Sequence, residues 1–372
     1  MKLCYFANSQ SIHIQRWVEY FSSEGNEVHI ITNQPFKYNK QNISIHSIKK
    51  NSSIPIISKL IKIFYIINLV KNISPDLIHV HSADYGKFLL FLRNYPTILS
   101  VWGSDVLMPK KKSLLNKIIL RLVFNRANAI TTLAESMGPY MEEHYGIPHE
   151  KIKRIPWGVD LSIFNRNYYD ESKELRRELG INEDSFVLIS NRNISPLYQT
   201  EKIIEASKFI FDSHPNTYFV VLKGYGTSLY ENEMKELAKK LGVNKNVIFV
   251  SKMLSPNEMA LYLNMADAFI SIPKSDQFGL SILEGMACGL VPILSDTIIS
   301  YKQYLNKENS IFVNPEDSVE ISNKINNLID NVEFKNQAYL INKKIIEEFE
   351  DWSKNTKKMR ELYYRVINKK NI

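Results

Sequence analysis

Two carboxylates flank a glycine in the second half of the chain, within the run Ser275–Gly289. Asp276 precedes Gly279, and Glu284 follows it inside a segment with helical character. A glycine lets the backbone approach a ligand closely, and free N–H groups at the start of a helix attract phosphate. Glu284 can then bond hydroxyls such as those of a ribose, and Asp276 those of a sugar. The spacing alone leaves a second interpretation open, an ordinary helix with solvated acids and a glycine C-cap.

An arginine and a G-x-G turn each follow another apolar run of the second half. Arg192 follows the apolar run Phe186–Ser190, and Gly224 and Gly226 follow the run Tyr218–Leu222. A guanidinium can bind a phosphate through two N–H groups and stabilise the negative charge that develops on a leaving group. A surface arginine after a strand is the alternative, and a G-x-G alone is a weak signal.

Short β-branched runs alternate with helical patterns along the chain, which is typical of parallel sheets covered on both faces. The predicted strands are Lys2–Phe6, Val28–Thr32, Leu77–His81, Thr97–Val101, Ala129–Thr132, Phe186–Ser190, Tyr218–Leu222, Val247–Val250, Ala268–Ile272 and Val291–Ser295. The pattern breaks at Pro156–Asp160, where a proline, a glycine and an aspartate come together. We therefore predict two Rossmann-like domains, in which ligands bind beyond the carboxyl ends of the strands.

Length and composition exclude several classes of protein. The chain has 372 residues, and 11% of them are aromatic, which excludes a disordered protein. Its two cysteines, Cys4 and Cys288, are too few for a disulfide framework or a multi-cysteine zinc site. The N-terminus does not read as a signal peptide, and we find no apolar run long enough to cross a membrane. These features predict a cytoplasmic protein.

The charge is distributed unevenly along the chain. Residues 1–160 carry 20 Lys and Arg against 11 Asp and Glu, a net charge of +9, whereas residues 161–372 carry 27 against 28, a net charge of −1. A basic half can face nucleic acid, an anionic membrane or an anionic substrate. Lys110, Lys111 and Lys112 precede a helical segment, and Lys59 and Lys62 punctuate another. These segments predict a contact with an anionic bilayer; two core-packed helices with solvated lysines are the alternative.

The order and spacing of the motifs resemble retaining glycosyltransferases of family 4, also called glycosyltransferase group 1. The run Ser275–Gly289 resembles the E-x(7)-E region of that family. Other segments that resemble the family are Ile12–Trp17, Glu24–His29, Pro75–His81, Trp102–Val106, Ile155–Asp160 and Asn306–Pro315. The resemblance implies the α/β GT-B fold, with two Rossmann-like doubly wound domains facing across a cleft. It assigns 1–160 plus about 351–372 to an N-terminal acceptor-binding domain, whose last helix crosses back to it, and 161–350 to a donor-binding domain.

The resemblance also implies roles for individual residues. Those implied to be catalytic are Asp105, Arg192, Asp276 and Glu284. Those implied to bind the donor are His13, Arg192, Gly224, Gly226, Met253, Asp276, Phe278, Gly279, Leu280, Ser281 and Glu284. The chain departs from the family in three places: Asp276 replaces a Glu, Trp102 replaces a His, and the usual Lys position falls at about Leu197–Tyr198.

The implied reaction moves a hexose-type sugar, with retention, from a UDP- or GDP-sugar to a glycan or a polyprenyl-diphosphate-linked acceptor. No cofactor and no metal are expected, and the absence of a D-x-D metal motif agrees with this. His79 and His81 share one strand face and could bind one metal, but no third ligand is evident. The implied role is cell-surface polysaccharide or glycolipid assembly, peripherally on the inner face of the membrane. A GT-B sugar-nucleotide epimerase and a non-catalytic GT-B partner subunit are the alternatives. A nucleic-acid partner is not expected, because the basic half lacks the motif of a known reader.

Overall fold

The computed structural model describes residues 1–36, 38, 40–48, 55–107, 113–276 and 278–369, and only the backbone of residues 55–59 and 104. The predicted acceptor lysines Lys110, Lys111 and Lys112 lie outside the described residues. The chain divides into two compact units. Unit 1 comprises Met1–Trp157 with Thr356–Ile372, and unit 2 comprises Gly158–Asn355.

Unit 1 contains a seven-stranded parallel sheet in the order β3-β2-β1-β4-β5-β6-β7. Its strands are β1 Lys2–Phe6, β2 Glu27–Thr32, β3 Ile43–Ser47, β4 Leu77–His81, β5 Thr97–Ser100, β6 Ala129–Thr132 and β7 Ile152–Arg154. Its helices are α1 Ile12–Ser23, α2 Pro55–Ile73, α3 Ser104–Leu107, α4 Leu114–Arg126 and α5 Met137–Tyr145, with 3-10 turns at Gly86–Phe91 and His149–Lys151.

Unit 2 contains a six-stranded parallel sheet in the order β10-β9-β8-β11-β12-β13. Its strands are β8 Phe186–Ser190, β9 Thr217–Leu222, β10 Val247–Val250, β11 Ala268–Ser271, β12 Val291–Ser295 and β13 Ile311–Val313. The remaining helices are α6 Tyr169–Glu178, α7 Thr200–Ser213, α8 Ser228–Lys240, α9 Pro256–Asn264, α10 Leu280–Ala287, α11 Ser318–Ile329, α12 Val332–Phe349 and α13 Trp352–Asn368, and a 3-10 turn spans Ile299–Gln303.

Both sheets have the doubly wound order in which the chain starts in the middle and then changes direction. The reversal falls between β1 and β4 in unit 1 and between β8 and β11 in unit 2. At such a switch point, the loops that follow the two central strands diverge and leave a ligand crevice at their carboxyl ends. Arg192 follows β8 and Asp276 follows β11, so the strand order brings these two sequence-distant residues to one place.

The ten strands predicted from sequence are confirmed, within one or two residues at their ends. The structure adds three that were not predicted: β3, β7 and β13. Two of these have three residues each, and all five residues of β3 are only half-buried, so none shows the continuous apolar run of a central strand. A capping box opens α9, since the Ser255 hydroxyl and the Glu258 carboxylate each accept from the other's backbone N–H.

The segment Thr356–Ile372 is joined to the sheet of unit 1 by buried polar contacts as well as by packing. The Tyr363 hydroxyl lies 3.0 Å from the Tyr5 hydroxyl and 2.5 Å from Nδ1 of His79. Nε2 of His79 in turn lies 2.7 Å from the Ser100 hydroxyl. His79 is thus a buried core histidine with both ring nitrogens hydrogen-bonded.

Candidate functional site

Arg192 forms the centre of the candidate site in unit 2. Its guanidinium lies 3.1 Å from the Asp276 carboxylate and donates a 2.6 Å hydrogen bond to the Ser281 hydroxyl. The two charged side chains are only 8% and 13% exposed. A buried ion pair stays charged only where hydrogen bonds satisfy both partners. Here the groups that satisfy each other come from the loop after β8, the loop after β11 and the start of α10.

Tyr198 lies beside this cation, at the position where the family usually has a lysine. The guanidinium carbon of Arg192 is 4.4 Å from the centre of the Tyr198 ring, which is cation–π geometry. Burial alone would lower the pKa of Arg192, but the Asp276 carboxylate and the Tyr198 and Tyr301 hydroxyls raise it. The site therefore presents one strongly held positive charge where the family pattern has two.

Tyr301 belongs to the site although nothing in the sequence pointed to it. It is fully buried, and its hydroxyl donates a 2.8 Å hydrogen bond to the same Asp276 oxygen that faces Arg192. Burial and the neighbouring carboxylate raise the pKa of Tyr301 well above its ordinary value, so the hydroxyl stays protonated. Asp276 is consequently held from two sides, which fixes a side chain one methylene shorter than the glutamate it replaces.

Gly279 stands at the start of α10 because a side chain there would occupy the place of the Arg192 guanidinium. A Cβ at this position would collide with the Nη1 atom of Arg192. As the N-cap, the glycine offers no side chain to the first-turn amides of Leu280 and Ser281. Uncapped N–H groups beside a buried cation form an anion-binding arrangement. Phe278, which precedes them, is buried with a φ of +22°.

Glu284 lies in the second turn of α10 and is half-buried. The neighbouring Gly285 lets this helix approach β11, because a Cβ there would come within 2.5 Å of the Phe269 ring. The same helix thus carries both the first-turn amides and the second predicted carboxylate on a rigid element. Met253, by contrast, lies in the loop after β10 with its side chain 55% exposed.

The loop that contains Gly224 and Gly226 packs on the residues that follow Arg192. Gly224 has a φ of +54°, and a Cβ there would collide with the Asn193 side chain. The Asn193 carboxamide accepts a 2.9 Å hydrogen bond from the Tyr225 N–H. Asn191, on the other side of Arg192, donates a 2.7 Å bond to the Ser281 carbonyl. Sequence reasoning overlooked both asparagines, although they flank Arg192 directly.

Glu231 connects the loop that follows β9 with the loop that follows β10. It is buried, lies 2.6 Å from the Lys235 amine and 3.1 Å from the Lys223 amine, and accepts a hydrogen bond from the Ser251 hydroxyl. Burial would raise the pKa of Glu231, but these three partners lower it to about 2. Sequence reasoning did not find this residue either.

Unit 1 presents aromatic rings at the corresponding edge of its sheet. His13, which the resemblance implies to bind the donor, lies on the first turn of α1. Its ring is 4.4 Å from the Trp157 ring and 6.0 Å from that of Trp102, measured between centroids. Burial, reinforced by Arg16, lowers the pKa of His13 to about 4, so the ring is neutral at pH 7.

The carboxylate of Asp105, which the resemblance implies to be catalytic, holds two loops in the structure. One oxygen accepts from the N–H groups of Trp102 and Gly103 at 3.0 and 2.8 Å, and the other from the Ala83 N–H at 2.7 Å. Burial raises the pKa of Asp105 despite these bonds. Its evident effect is to fix the loop that presents Trp102.

His81 ends β4 and is 1% exposed. Neither of its ring nitrogens has a hydrogen-bond partner among the described residues. The ring stacks on that of Tyr5 and contacts the tilted ring of His79. Burial lowers the pKa of His81 to about 3. In the part of the chain that the structure describes, no three His, Cys, Asp or Glu side chains are grouped as metal ligands.

Two family descriptions match the chain. "Glycosyl transferase 4-like" matches residues 2–134, and "Glycosyl transferases group 1" matches residues 171–359, half of the chain. The chain belongs to the glycosyl transferases group 1 family. The family predicted from the motifs is therefore confirmed.

Curated relatives of this group 1 glycosyltransferase are similar over different parts of their length. An alpha-monoglucosyldiacylglycerol synthase of Streptococcus pneumoniae is 34% identical over 153 residues, which cover 41% of this chain and 33% of the relative. An N-acetyl-alpha-D-glucosaminyl L-malate synthase of Bacillus anthracis is 24% identical over 289 residues, covering 72% of this chain and 71% of the relative.

Solved structures of similar fold cover nearly the whole chain. HepE of Anabaena, in complex with UDP and glucose, aligns with a TM-score of 0.82 at 16% identity over 98% of this chain and all of that one. Sucrose-phosphate synthase of Thermosynechococcus elongatus aligns with a TM-score of 0.82 at 15% identity over 99% of both chains. The predicted fold class, GT-B with two doubly wound parallel sheets, is confirmed.

Proposed function

We propose that the protein is a retaining glycosyltransferase that moves a hexose from a UDP- or GDP-sugar to a glycan or lipid-linked acceptor. The buried pair of Arg192 and Asp276, beside the uncapped start of α10, carries the proposal. It combines a fixed cation with free first-turn amides, which suits a diphosphate, and a carboxylate, which suits sugar hydroxyls. Family membership and the UDP bound to HepE support the nucleotide-sugar class.

The proposed reaction needs no side-chain nucleophile. As the bond from the sugar to the diphosphate breaks, Arg192 and the amides of Leu280 and Ser281 stabilise the negative charge that develops on the leaving phosphate. That phosphate oxygen takes the proton of the acceptor hydroxyl, which attacks on the same face, so the configuration is retained. Glu284 would hold the ribose hydroxyls, and Asp276 those of the transferred sugar.

Under this proposal unit 2 binds the donor and unit 1 the acceptor. The neutral rings of His13, Trp102 and Trp157 suit the uncharged faces and hydroxyls of an acceptor better than they suit a phosphate. The lipid-linked class is supported by the similarity to a glucosyldiacylglycerol synthase. Transfer without a metal is part of the proposal, and equal turnover with and without EDTA is its test.

A thermal-shift screen against UDP, GDP and their sugars tests the donor class, because a ligand of the native state raises the melting temperature. We expect one nucleoside diphosphate and one of its sugars to stabilise the wild type. Glu284→Ala should lose most of that shift, whereas Glu236→Ala, which changes an exposed glutamate on α8, should keep it. If no nucleotide shifts the wild type, the proposal is wrong.

Product analysis tests the reaction itself. With the stabilising donor and an acceptor, NMR should show the anomeric configuration of the donor preserved in the product. Inversion would overturn the retaining mechanism. An epimer of the donor sugar, formed without acceptor, would identify an epimerase instead. A donor that binds but is neither hydrolysed nor transferred to any acceptor would favour a non-catalytic subunit.

A further inference from the structure

Helix α4 of unit 1 is apolar on two opposite faces. One face carries Leu120, Val123 and Phe124, which are buried in the core of the unit. The other carries Leu114, Ile118 and Leu122, spaced four residues apart and 76%, 48% and 52% exposed. Residues at this spacing form one continuous stripe on a helix. Nothing in the fold requires a second apolar stripe, so its presence in water calls for an explanation.

Helix α2 repeats this arrangement beside it. Ile66, Val70 and Ile73 are buried, whereas Leu60 and Phe64 are 52% and 65% exposed. Both helices contact the 3-10 turn Gly86–Phe91, whose last residue is itself half-exposed. The two helices therefore adjoin one element of unit 1. Single exposed apolar residues are ordinary, but a group on three adjoining elements is not.

The charges on these two helices have one sign. Helix α2 contains three lysines and no acidic residue, and α4 contains one lysine, two arginines and no acidic residue. Lys117 and Arg121 of α4 are exposed, and each lies next to a member of the apolar stripe. Neither helix can neutralise its cations internally, since it has no carboxylate to place at i+3 or i+4. We define the apolar–basic face as five of the exposed apolar residues of these helices together with Lys117 and Arg121. The five are Leu60, Phe64, Leu114, Ile118 and Leu122.

We propose that the apolar–basic face docks unit 1 on the surface of a bilayer that contains anionic lipids. Leucine and phenylalanine side chains would enter the boundary between headgroups and acyl chains, and the cations would lie among the lipid phosphates. A second copy of the chain is a poor occupant, because pairing two such faces would bring cations of like sign together. No helix within the described ranges is long and apolar enough to cross a bilayer, so the contact is peripheral.

The apolar–basic face extends the proposed function, because a lipid-linked acceptor presents its sugar at the membrane. The role of this face in the reaction rests on that proposal. Binding to lipid can nevertheless be measured without any transfer reaction. The two proposals therefore fail separately: loss of the nucleotide thermal shift concerns unit 2, and loss of vesicle binding concerns unit 1.

Sedimentation of the full chain with vesicles is the test. We compare phosphatidylcholine alone with phosphatidylcholine containing phosphatidylglycerol. The wild type should bind the anionic vesicles at least about tenfold more tightly than the neutral ones. Leu114→Ser, Ile118→Ser and Leu122→Ser combined should weaken binding to anionic vesicles by about tenfold or more. Lys117→Glu with Arg121→Glu should remove the preference for anionic lipid.

Three substitutions in unit 2 provide the matched control. Val319→Ser, Val332→Ser and Leu340→Ser combined change exposed apolar residues of α11 and α12 and should leave vesicle binding unchanged. Every variant should keep the cooperative thermal transition of the wild type without nucleotide, which shows that it is folded. The proposal is overturned if the wild type stays in the supernatant with anionic vesicles, or if the α4 and control variants bind equally. It is also overturned if the α4 variant merely converts a dimer to a monomer.

Discussion

The carboxyl edges of the two sheets have the same strand order but opposite chemistry. In unit 2, the charged groups Arg192 and Asp276 bind each other and a tyrosine hydroxyl, so the ion pair is internally satisfied. Oδ1 of the neighbouring Asn191 has no partner among the described residues. In unit 1, Nδ1 of His13, both nitrogens of His81 and Nε1 of Trp102 find no partner among the described residues. A satisfied ion pair can exchange one anion for another, whereas neutral rings with vacant nitrogens suit an uncharged ligand.

This difference indicates how one topology supports two tasks. The switch point supplies the crevice in both units, and the residues in the loops after the central strands determine what can bind there. The substitutions below either remove the charge from the edge of unit 2 or disrupt the hydrogen bonds that order the edge of unit 1.

The largest effect is expected from Arg192→Ala in unit 2. It removes the cation that would stabilise the leaving diphosphate, so kcat/KM for transfer should fall by about 100- to 1000-fold. Steady-state kinetics with the identified donor measure this loss. Arg192→Lys, which keeps the charge but not the planar fork, should lose less. Arg177→Ala, a change to an exposed arginine of α6, is the control and should have wild-type turnover.

Asp105→Ala tests the order at the edge of unit 1. The substitution leaves three backbone N–H groups without their acceptor, which should lower the free energy of unfolding by about 2–3 kcal/mol. Urea unfolding followed by tryptophan fluorescence measures the change, because Trp17, Trp102 and Trp157 all belong to unit 1. Asp105→Asn retains one carbonyl acceptor and should lose less. Equal stability of the Ala variant and the wild type would show that the carboxylate does not hold these loops.

His81 should make the stability of unit 1 depend on pH. Its folded pKa of about 3 lies below the unfolded value of about 6.5, so below pH 6.5 only the unfolded chain gains the proton. The stabilising contribution is complete above pH 6.5 and is lost as the pH falls toward 3; at pH 5 the loss is about 2 kcal/mol. The difference in unfolding free energy between pH 7.5 and pH 5 should shrink by about that amount in His81→Phe. The same substitution at the exposed His144 should leave that difference unaltered.

The smallest effect is expected from Tyr301→Phe in unit 2. Removing the hydroxyl deletes one of the two groups that hold Asp276, while Arg192 still holds the carboxylate. We expect kcat/KM to fall about fivefold, equivalent to roughly 1 kcal/mol, mainly through the KM for the donor. Tyr304→Phe is the matched control, since that hydroxyl bonds Glu350. If both variants behave alike, Tyr301 has only a structural role.

The two predicted site residues that the structure brings together both follow strands. Arg192 and Asp276 lie in the loops that follow two buried apolar strands, and the doubly wound order then places such residues together. Fold class was accessible for the same reason, because the alternation of strands and helices is local in sequence.

The contacts that sequence did not predict join residues far apart in the chain, or differ from what the residue type alone would suggest. Tyr301 reaches Asp276 from a 3-10 turn 25 residues away, and no pattern around it marks the contact. His13 meets Trp157 only because unit 1 places both rings at one edge. Asp105 is an acid of the type that binds ligands. In the folded unit, however, its carboxylate accepts hydrogen bonds from three N–H groups of the two loops beside it. Such outcomes depend on tertiary packing.

Calorimetric titration of nucleoside diphosphates tests the central claim most directly, since it measures the anion site of unit 2 without acceptor, membrane or turnover. UDP or GDP should bind the wild type and Arg177→Ala with equal affinity. Arg192→Ala should bind at least about tenfold more weakly. A retained thermal transition shows that this variant is folded. Binding of neither nucleotide to the wild type, or equal binding to Arg192→Ala, would contradict the assignment of the buried Arg192–Asp276 pair to the donor diphosphate.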